Sequence, residues 1–306
     1  MASPQARLTI LHATEYQQQI PFHLANHPVC QIHSIFQNGL NIRSGNCLFF
    51  VGTVKNGRLP FGIHLTSEQL RQLLNGINEN SSVSWEPKER CLAFGETGPI
   101  VSIVGADPFD WRISSELVTN ELLSDNLAMF ASILLEEPRV TGLDIDVESW
   151  LTRHLEGSSP SGLTEQRFTS LLDVLDSSNT IDIEQQLRFV IGRGQGLTPS
   201  GDDHLVGLLA IHEATGILST AFLETLKRLI EKESLTTDIG REYLLYALEG
   251  QFSSTVVQAA SELTRKTDIY MLKTLLSELL DMGHSSGIDT VFGMLLGLLA
   301  LRRKLE

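Results

Sequence analysis

Ser200-Gly201-Asp202-Asp203-His204-Leu205-Val206-Gly207-Leu208-Leu209 and Ser286-Gly287-Ile288-Asp289-Thr290-Val291-Phe292-Gly293-Met294-Leu295 align without a gap. Their shared pattern is Ser-Gly-x-Asp-x-apolar-apolar-Gly-apolar-Leu. Each copy leaves a glycine-containing turn and enters an apolar run, and Val291 to Leu301 reads as a buried helix. Ser followed three residues later by Asp is close to a capping box, which puts helix N-caps at Ser200 and Ser286. Gly201 and Gly287 leave the first helical turn without a covering side chain, so its free N–H groups and the helix dipole favour an anion. Gly207 and Gly293 remove a side chain one and a half turns in and would let two helices approach closely. Both N-termini would then point into one cavity. Two blander accounts stand beside this one: Ser-x-x-Asp is a common structural cap, and duplication of a helical unit explains the match without any ligand.

Upstream of the first copy lies Gly192-Arg193-Gly194-Gln195-Gly196-Leu197-Thr198-Pro199. Three alternating glycines permit backbone conformations closed to other residues and a close approach to a ligand. The spacing is not that of a dinucleotide fingerprint, and a helix-like segment, Ile181 to Ile191, precedes it where a strand would be needed. A helix C-cap would require only one of these glycines. Arg193 is either a bidentate partner for a carboxylate or phosphate or a solvated surface residue. Thr236 and Thr237 precede a helix over Ile239 to Leu248 and are candidate caps or hydroxyl donors. Asp202, Asp203, His204, His284 and Asp289 also form a set suited to Mg²⁺ or Mn²⁺, although Asp203 and Asp289 have capping work available. A Ser-His-Asp triad assembled from Ser200, His284 and Asp203 lacks a nucleophile elbow.

Outward from these motifs, the chain changes character. Cys30 to Phe36, Leu48 to Val54, Phe61 to Leu65, Cys91 to Phe94 and Ile100 to Val104 are short β-prone runs. Gln37-Asn38-Gly39, Ser44-Gly45-Asn46 and Lys55-Asn56-Gly57-Arg58 punctuate them as hairpin signals. A short helix to about Leu74 opens at Thr66 or Ser67. Ser115 to Leu135, Glu165 to Leu175 and Ile181 to Ile191 have helical spacing, with a loop over 156–164, and little but helix follows. The fold class is α+β: a small β-rich domain over 1–110, then an all-helical domain over 111–306 carrying the repeated helix start.

The 306 residues are 42% apolar, enough for a substantial core. No stretch approaches the ~18 apolar residues of a membrane helix, and Met1 to Glu15 lacks the basic start and apolar run of a secretory signal. Cys30, Cys47 and Cys91 are widely spaced and form no thiolate pair, which excludes a disulfide framework and points to reduced thiols in the cytoplasm. A net charge of −14 argues against nucleic acid as a partner. It leaves room for a small anionic substrate held by backbone N–H groups.

The run Gly-x-Gly-x-Gly-Leu-Thr-Pro-Ser-Gly-Asp-Asp at 192–203 resembles the signature of the AllH family. Thr236-Thr237 with Leu244, Ala247, Gly250 and Phe252 resembles its middle motif, and Gly283-His284-Ser285-Ser286-Gly287-Ile288-Asp289-Thr290 its C-terminal one. The resemblance covers roughly 181–300. His204 stands where an apolar or small residue is usual, Gln195 where Pro is frequent, and Gly240 where Ser is frequent. The resemblance implies a subunit of oxamate carbamoyltransferase, assembled with two other subunits, which exchanges a carbamoyl group between oxalurate and phosphate in anaerobic allantoin degradation. The phosphate end of the substrate would then rest on Arg193, Gly194, Gly196, Thr198, Ser200, Gly201, Asp202, Thr236, Thr237, Ser285, Ser286 and Gly287. His284, Asp203 and Asp289 would carry the chemistry, with no cofactor. A non-catalytic assembly or anion-sensing subunit and a metal-dependent hydrolase are the alternatives.

Overall fold

The structure, a computed structural model, describes residues 9–55, 57–114 and 117–306. The chain parts into two compact units at Trp111 and Arg112. The first holds β1 (Ile10–His12), β2 (Glu15–Gln17), α1 (Ile20–Asn26), β3 (Val29–Phe36), β4 (Gly39–Ser44), β5 (Cys47–Gly52), β6 (Gly62–His64), α2 (Ser67–Asn75), β7 (Ser82–Glu86), β8 (Cys91–Phe94), β9 (Ile100–Ser102) and β10 (Asp107–Phe109). The strands form one sheet in the order β1-β9-β8-β7-β3-β4-β5-β6-β2-β10. One short extended segment reaches both ends of that order. The Ala13 amide donates to the Ser102 carbonyl at 2.8 Å, while the next amide, of Thr14, donates to the His64 carbonyl at 2.9 Å. The sheet therefore curls, with Leu40, Ile42, Val51, Ile63 and Val101 buried inside it.

The first two Asn/Gly signals make hairpins. Phe36 pairs with Gly39, and Ser44 pairs with Cys47 across a two-residue turn in which Gly45 has φ +59°. The third behaves otherwise: β5 and β6 run parallel, so the chain between them crosses over instead of turning back, and Asn56 of that signal lies outside the described residues. The helix expected near Thr66 is present, with a capping box between Thr66 and Gln69. All three cysteines are free thiols.

From Arg112 onward the described residues form helices, apart from isolated bridges: α3 (Asn120–Leu134), α4 (Val147–Glu156), α5 (Leu163–Leu172), α6 (Thr180–Val190), α7 (Ser200–Thr215), α8 (Thr220–Lys232), α9 (Asp238–Leu248), α10 (Ser254–Leu263), α11 (Ile269–Leu280) and α12 (Ser286–Leu305). The expected helix from Ser115 begins instead at Asn120, where the Thr119 hydroxyl accepts from the Leu122 amide, and Ser115 itself is outside the described residues. Helices α7 and α12 are the core. Every residue from Ser200 to Ile211 and from Gly287 to Leu301 is buried. No helix among the described residues is long and apolar enough to cross a membrane.

Glycines decide how these two helices meet. A Cβ on Gly207 would sit 2.0 Å from the Thr290 carbonyl oxygen, and one on Gly293 would sit 2.0 Å from that of His204. The contact is reciprocal, because His204 and Thr290 occupy equivalent places in the two copies. Four residues further on, Gly297 faces its own equivalent, Ile211, at 2.8 Å. Contacts at 204, 207 and 211 against 290, 293 and 297 are the spacing of two parallel helices packed along one seam. Their N-terminal ends therefore lie at the same end of the unit.

Candidate functional site

Each central helix starts with its glycine pressed against the helix before it. A Cβ on Gly201 would stand 1.9 Å from the Val190 carbonyl, and one on Gly287 2.3 Å from that of Leu279. The glycine that frees the first turn thus serves close packing, and its amide is occupied. Gly201 N–H donates to the Arg193 carbonyl at 2.8 Å, and Gly287 N–H to the Met282 carbonyl at 3.0 Å. The expected capping boxes are also absent. The N-caps are Pro199 and Ser285, neither helix has a side-chain cap, and Ser200 and Ser286 are first-turn residues. A capping Asp would have folded back on its own N-terminus. Here Asp203 and Asp289 lie one residue deeper and are directed into the interior.

The three glycines of the 192–196 turn have φ of +70°, +107° and +98°, a region that side chains disfavour. This conformation brings Gly194 against Ser200, where a Cβ would lie 2.8 Å from the amide nitrogen and 2.9 Å from Oγ. It also turns the Gly192 amide onto Asp202 Oδ1 at 2.8 Å. Asp202 Oδ2 accepts from the Thr236 hydroxyl. Thr237 takes the capping role, its Oγ1 accepting from the Gly240 amide at 2.9 Å while its hydroxyl donates to the Leu197 carbonyl at 2.5 Å. Asp202, Thr236 and Thr237 therefore lock the glycine turn to α9. A Cβ on Gly240 would meet Asp202 Oδ2 at 2.4 Å, so in this chain the bare glycine makes room for that carboxylate.

The two helix starts meet at a residue that the sequence motifs do not contain. Gly142, in the loop before α4, donates its amide to Asp289 Oδ1 at 2.9 Å. A Cβ there would stand 2.0 Å from Ser200 Oγ and 2.7 Å from Ser285 Oγ. Thr198 Oγ1 and Ser286 Oγ are 3.3 Å apart. One small volume thus gathers the hydroxyls of Thr198, Ser200, Ser285 and Ser286 with the carboxyls of Asp203 and Asp289. Asp203 is 7% exposed and Asp289 0%, and an oxygen of each, Oδ2, has no hydrogen-bond partner among the described residues. A buried acceptor left alone costs about 1–3 kcal/mol, which favours a donor brought to these oxygens from outside the chain.

Burial sets the charge state of the cluster. It raises the Asp203 carboxyl well above the usual range. The neighbouring Asp289 and Asp202 add to the rise, and the Ser286 and Thr198 hydroxyls facing it oppose it. Burial likewise lifts Asp202 to about 6, against the opposing bonds from Thr236 and Gly192. The Tyr243 phenol is raised by burial and by the charge of Asp203. His204 is lowered by burial and is neutral at pH 7. Its Nδ1 meets the Ser200 carbonyl and lies 3.7 Å from Asp289 Oδ1, and its ring stacks on Phe168 with centroids 4.9 Å apart.

Two expected participants stand apart. Arg193 is exposed, its guanidinium lies 3.8 Å over the Phe189 ring and its Nε donates to the Phe189 carbonyl at 2.6 Å. His284 is exposed on the turn before α12. Among the described residues no group of three or more His, Cys, Asp or Glu is arranged to hold a metal ion. Of the suggested metal set, Asp202 is committed to Gly192 and Thr236. A separate cleft of about 240 Å³, lined in part by Trp150, Arg153, His154 and Arg303, holds none of the expected site residues.

The family model described as oxamate carbamoyltransferase subunit AllH matches residues 190–298, the span of both helix starts. A second, described as the AllH family N-terminal domain, matches residues 12–103. The chain belongs to the AllH family. Membership extends the motif resemblance, drawn from 181–300, to the curled sheet. The AllH name is that of an enzyme subunit and so implies companion subunits. No solved structure matches the chain at a significant level.

Proposed function

We propose that this AllH chain supplies part of the active site of an oxamate carbamoyltransferase. The reaction is the exchange of a carbamoyl group between oxalurate and phosphate, giving oxamate and carbamoyl phosphate, in anaerobic allantoin degradation. The observation that carries the reading is the meeting of two equivalent helix starts over Gly142, with hydroxyl donors and two incompletely partnered carboxyls in one buried place. A phosphate oxygen bonds to the carbamoyl carbon, the bond from that carbon to the oxamate nitrogen breaks, and the nitrogen takes a proton. Burial raises the Asp203 carboxyl well above the usual carboxylate range, which favours a proton on it, so it can hold the proton in transit, which hydrogenphosphate returns. The hydroxyls of Ser200 and Ser285 are donors for the oxyanion that develops on the carbamoyl oxygen. The proton-transfer role expected of His284 passes in this reading to Asp203.

A second feature shapes the test. Arg193 and His284 are exposed on the turns that lead into α7 and α12. They are available to complete the site against a companion subunit. The expected result is turnover of oxalurate and phosphate by the assembled subunits and none by this chain alone. Asp203→Asn within an intact assembly lowers the rate about 10²-fold or more, the usual contribution of a positioned proton donor. An assembled Asp203→Asn enzyme of undiminished rate would refute the reading.

A further inference from the structure

The unpartnered oxygens say which part of the substrate enters. Asp203 Oδ2 and Asp289 Oδ2 belong to equivalent residues of parallel helices, are both buried, and sit close enough for Asp289 to raise the Asp203 carboxyl. Asp289 Oδ1 accepts from Gly142, and the Ser286 and Thr198 hydroxyls face the Asp203 carboxyl. What remains is one unpartnered oxygen on each carboxyl, an acceptor on Asp289 and, whenever the Asp203 proton lies on its other oxygen, an acceptor on Asp203 as well. A carboxylate brings no donor and hydrogenphosphate brings only one O–H, so neither can satisfy both oxygens. A primary amide can, because its –NH₂ carries two N–H donors in one plane.

Resting on the reading above, we propose that Asp203 and Asp289 fork the amino group of a primary amide, the –CO–NH₂ unit, with one N–H donated to each Oδ2. This unit is common to oxamate, oxalurate and carbamoyl phosphate and is missing from phosphate and oxalate. The carboxyl pair would then select the carbamoyl end of the substrate, while the serine hydroxyls take its oxygens. A site that has desolvated acceptors in place rejects an analogue lacking the donors, since both acceptors then stay unpaired.

Titration calorimetry on the full chain with oxamate, oxalate and N,N-dimethyloxamate tests this, repeated with the companion subunits present. The expected result is oxamate binding at least about tenfold tighter than either analogue, a difference of about 1.4 kcal/mol. Asp289→Asn sharpens the test. With its carbonyl oxygen kept on the Gly142 amide, the new –NH₂ replaces the free acceptor by a donor, so oxamate weakens, oxalate strengthens and the preference falls about tenfold or inverts. Equal affinity for oxamate and oxalate, or an unchanged preference in Asp289→Asn, overturns the amide-recognition proposal while leaving an anion site in place. Failure of all three compounds to bind, with and without companions, overturns the proposed function as well.

Discussion

The close approach of α7 to α12 requires bare backbone at Gly207 and Gly293, and Gly207→Ala perturbs it directly. In an exposed helix this change would gain about 1 kcal/mol of helix propensity. Here the new methyl would lie 2.0 Å from the Thr290 carbonyl oxygen and 2.9 Å from the Met294 amide nitrogen. Those are backbone atoms of a fully buried helix and cannot rotate away, so α7 and α12 must separate by about 1 Å or more. Overpacking of this kind costs about 1–3 kcal/mol net. Gly293→Ala meets the His204 carbonyl at the same 2.0 Å and should lose a similar amount. The double variant should lose clearly less than the sum, because one separation of the helices relieves both clashes. Gly297→Ala faces the Ile211 side chain, which can shift, and serves as the milder control. Urea unfolding followed by circular dichroism at 222 nm reports the helical unit. Gly207→Ala as stable as the wild type or more so, or strictly additive losses, would refute the reciprocal packing.

Three further outcomes follow from the same geometry. Asp202 titrates near 6 when folded and near 3.8 in its ordinary state, so its own contribution to folding stability should fall by about 3 kcal/mol as pH rises from about 4 to about 6 and then level off; the difference in urea unfolding between the wild type and Asp202→Asn across that range should show the decline. Asp203→Asn removes a carboxyl that resists ionisation in the interior, so at pH 8 it should unfold at higher urea than the wild type, with the advantage shrinking toward pH 5, while activity is lost. Gly142→Ala puts a methyl into the space of Ser200 Oγ and Ser285 Oγ; the hydroxyls can turn aside, so thermal unfolding should barely move while calorimetric affinity for oxamate falls about tenfold.

Much of this was legible in the sequence because it depends on local rules. The matched Ser-Gly-x-Asp starts, the spaced glycines at 207 and 293 and the apolar run to Leu301 predict two close, buried helices, and they are present. Asn38 and Gly45 mark real hairpins because a tight turn needs no distant partner. Strands β1, β2 and β10 carry no sequence signal of their own because each is three residues long and is held by pairing to remote segments, and β4 and β7 also lie outside the β-prone runs of the sequence. Helix α4, capped by Asp146, was missed because a ten-residue element relies on its buried Trp150 and Leu151 more than on a long periodic pattern. Ser-x-x-Asp misled as a capping signal, since Pro199 and Ser285 take the cap position and leave the carboxyls free to point inward. Gly142 could not be found at all from the motifs, because its importance lies in contacts with residues far along the chain.

Hydrogen exchange of the chain with and without oxamate, read segment by segment, bears most directly on the shared site. A guest held between two helix starts beneath the Gly142 loop should slow exchange together in 194–203, 284–290 and 141–145, and leave the curled sheet unchanged. Protection confined to one of the two helix starts, or lying outside all three segments, would contradict a common site.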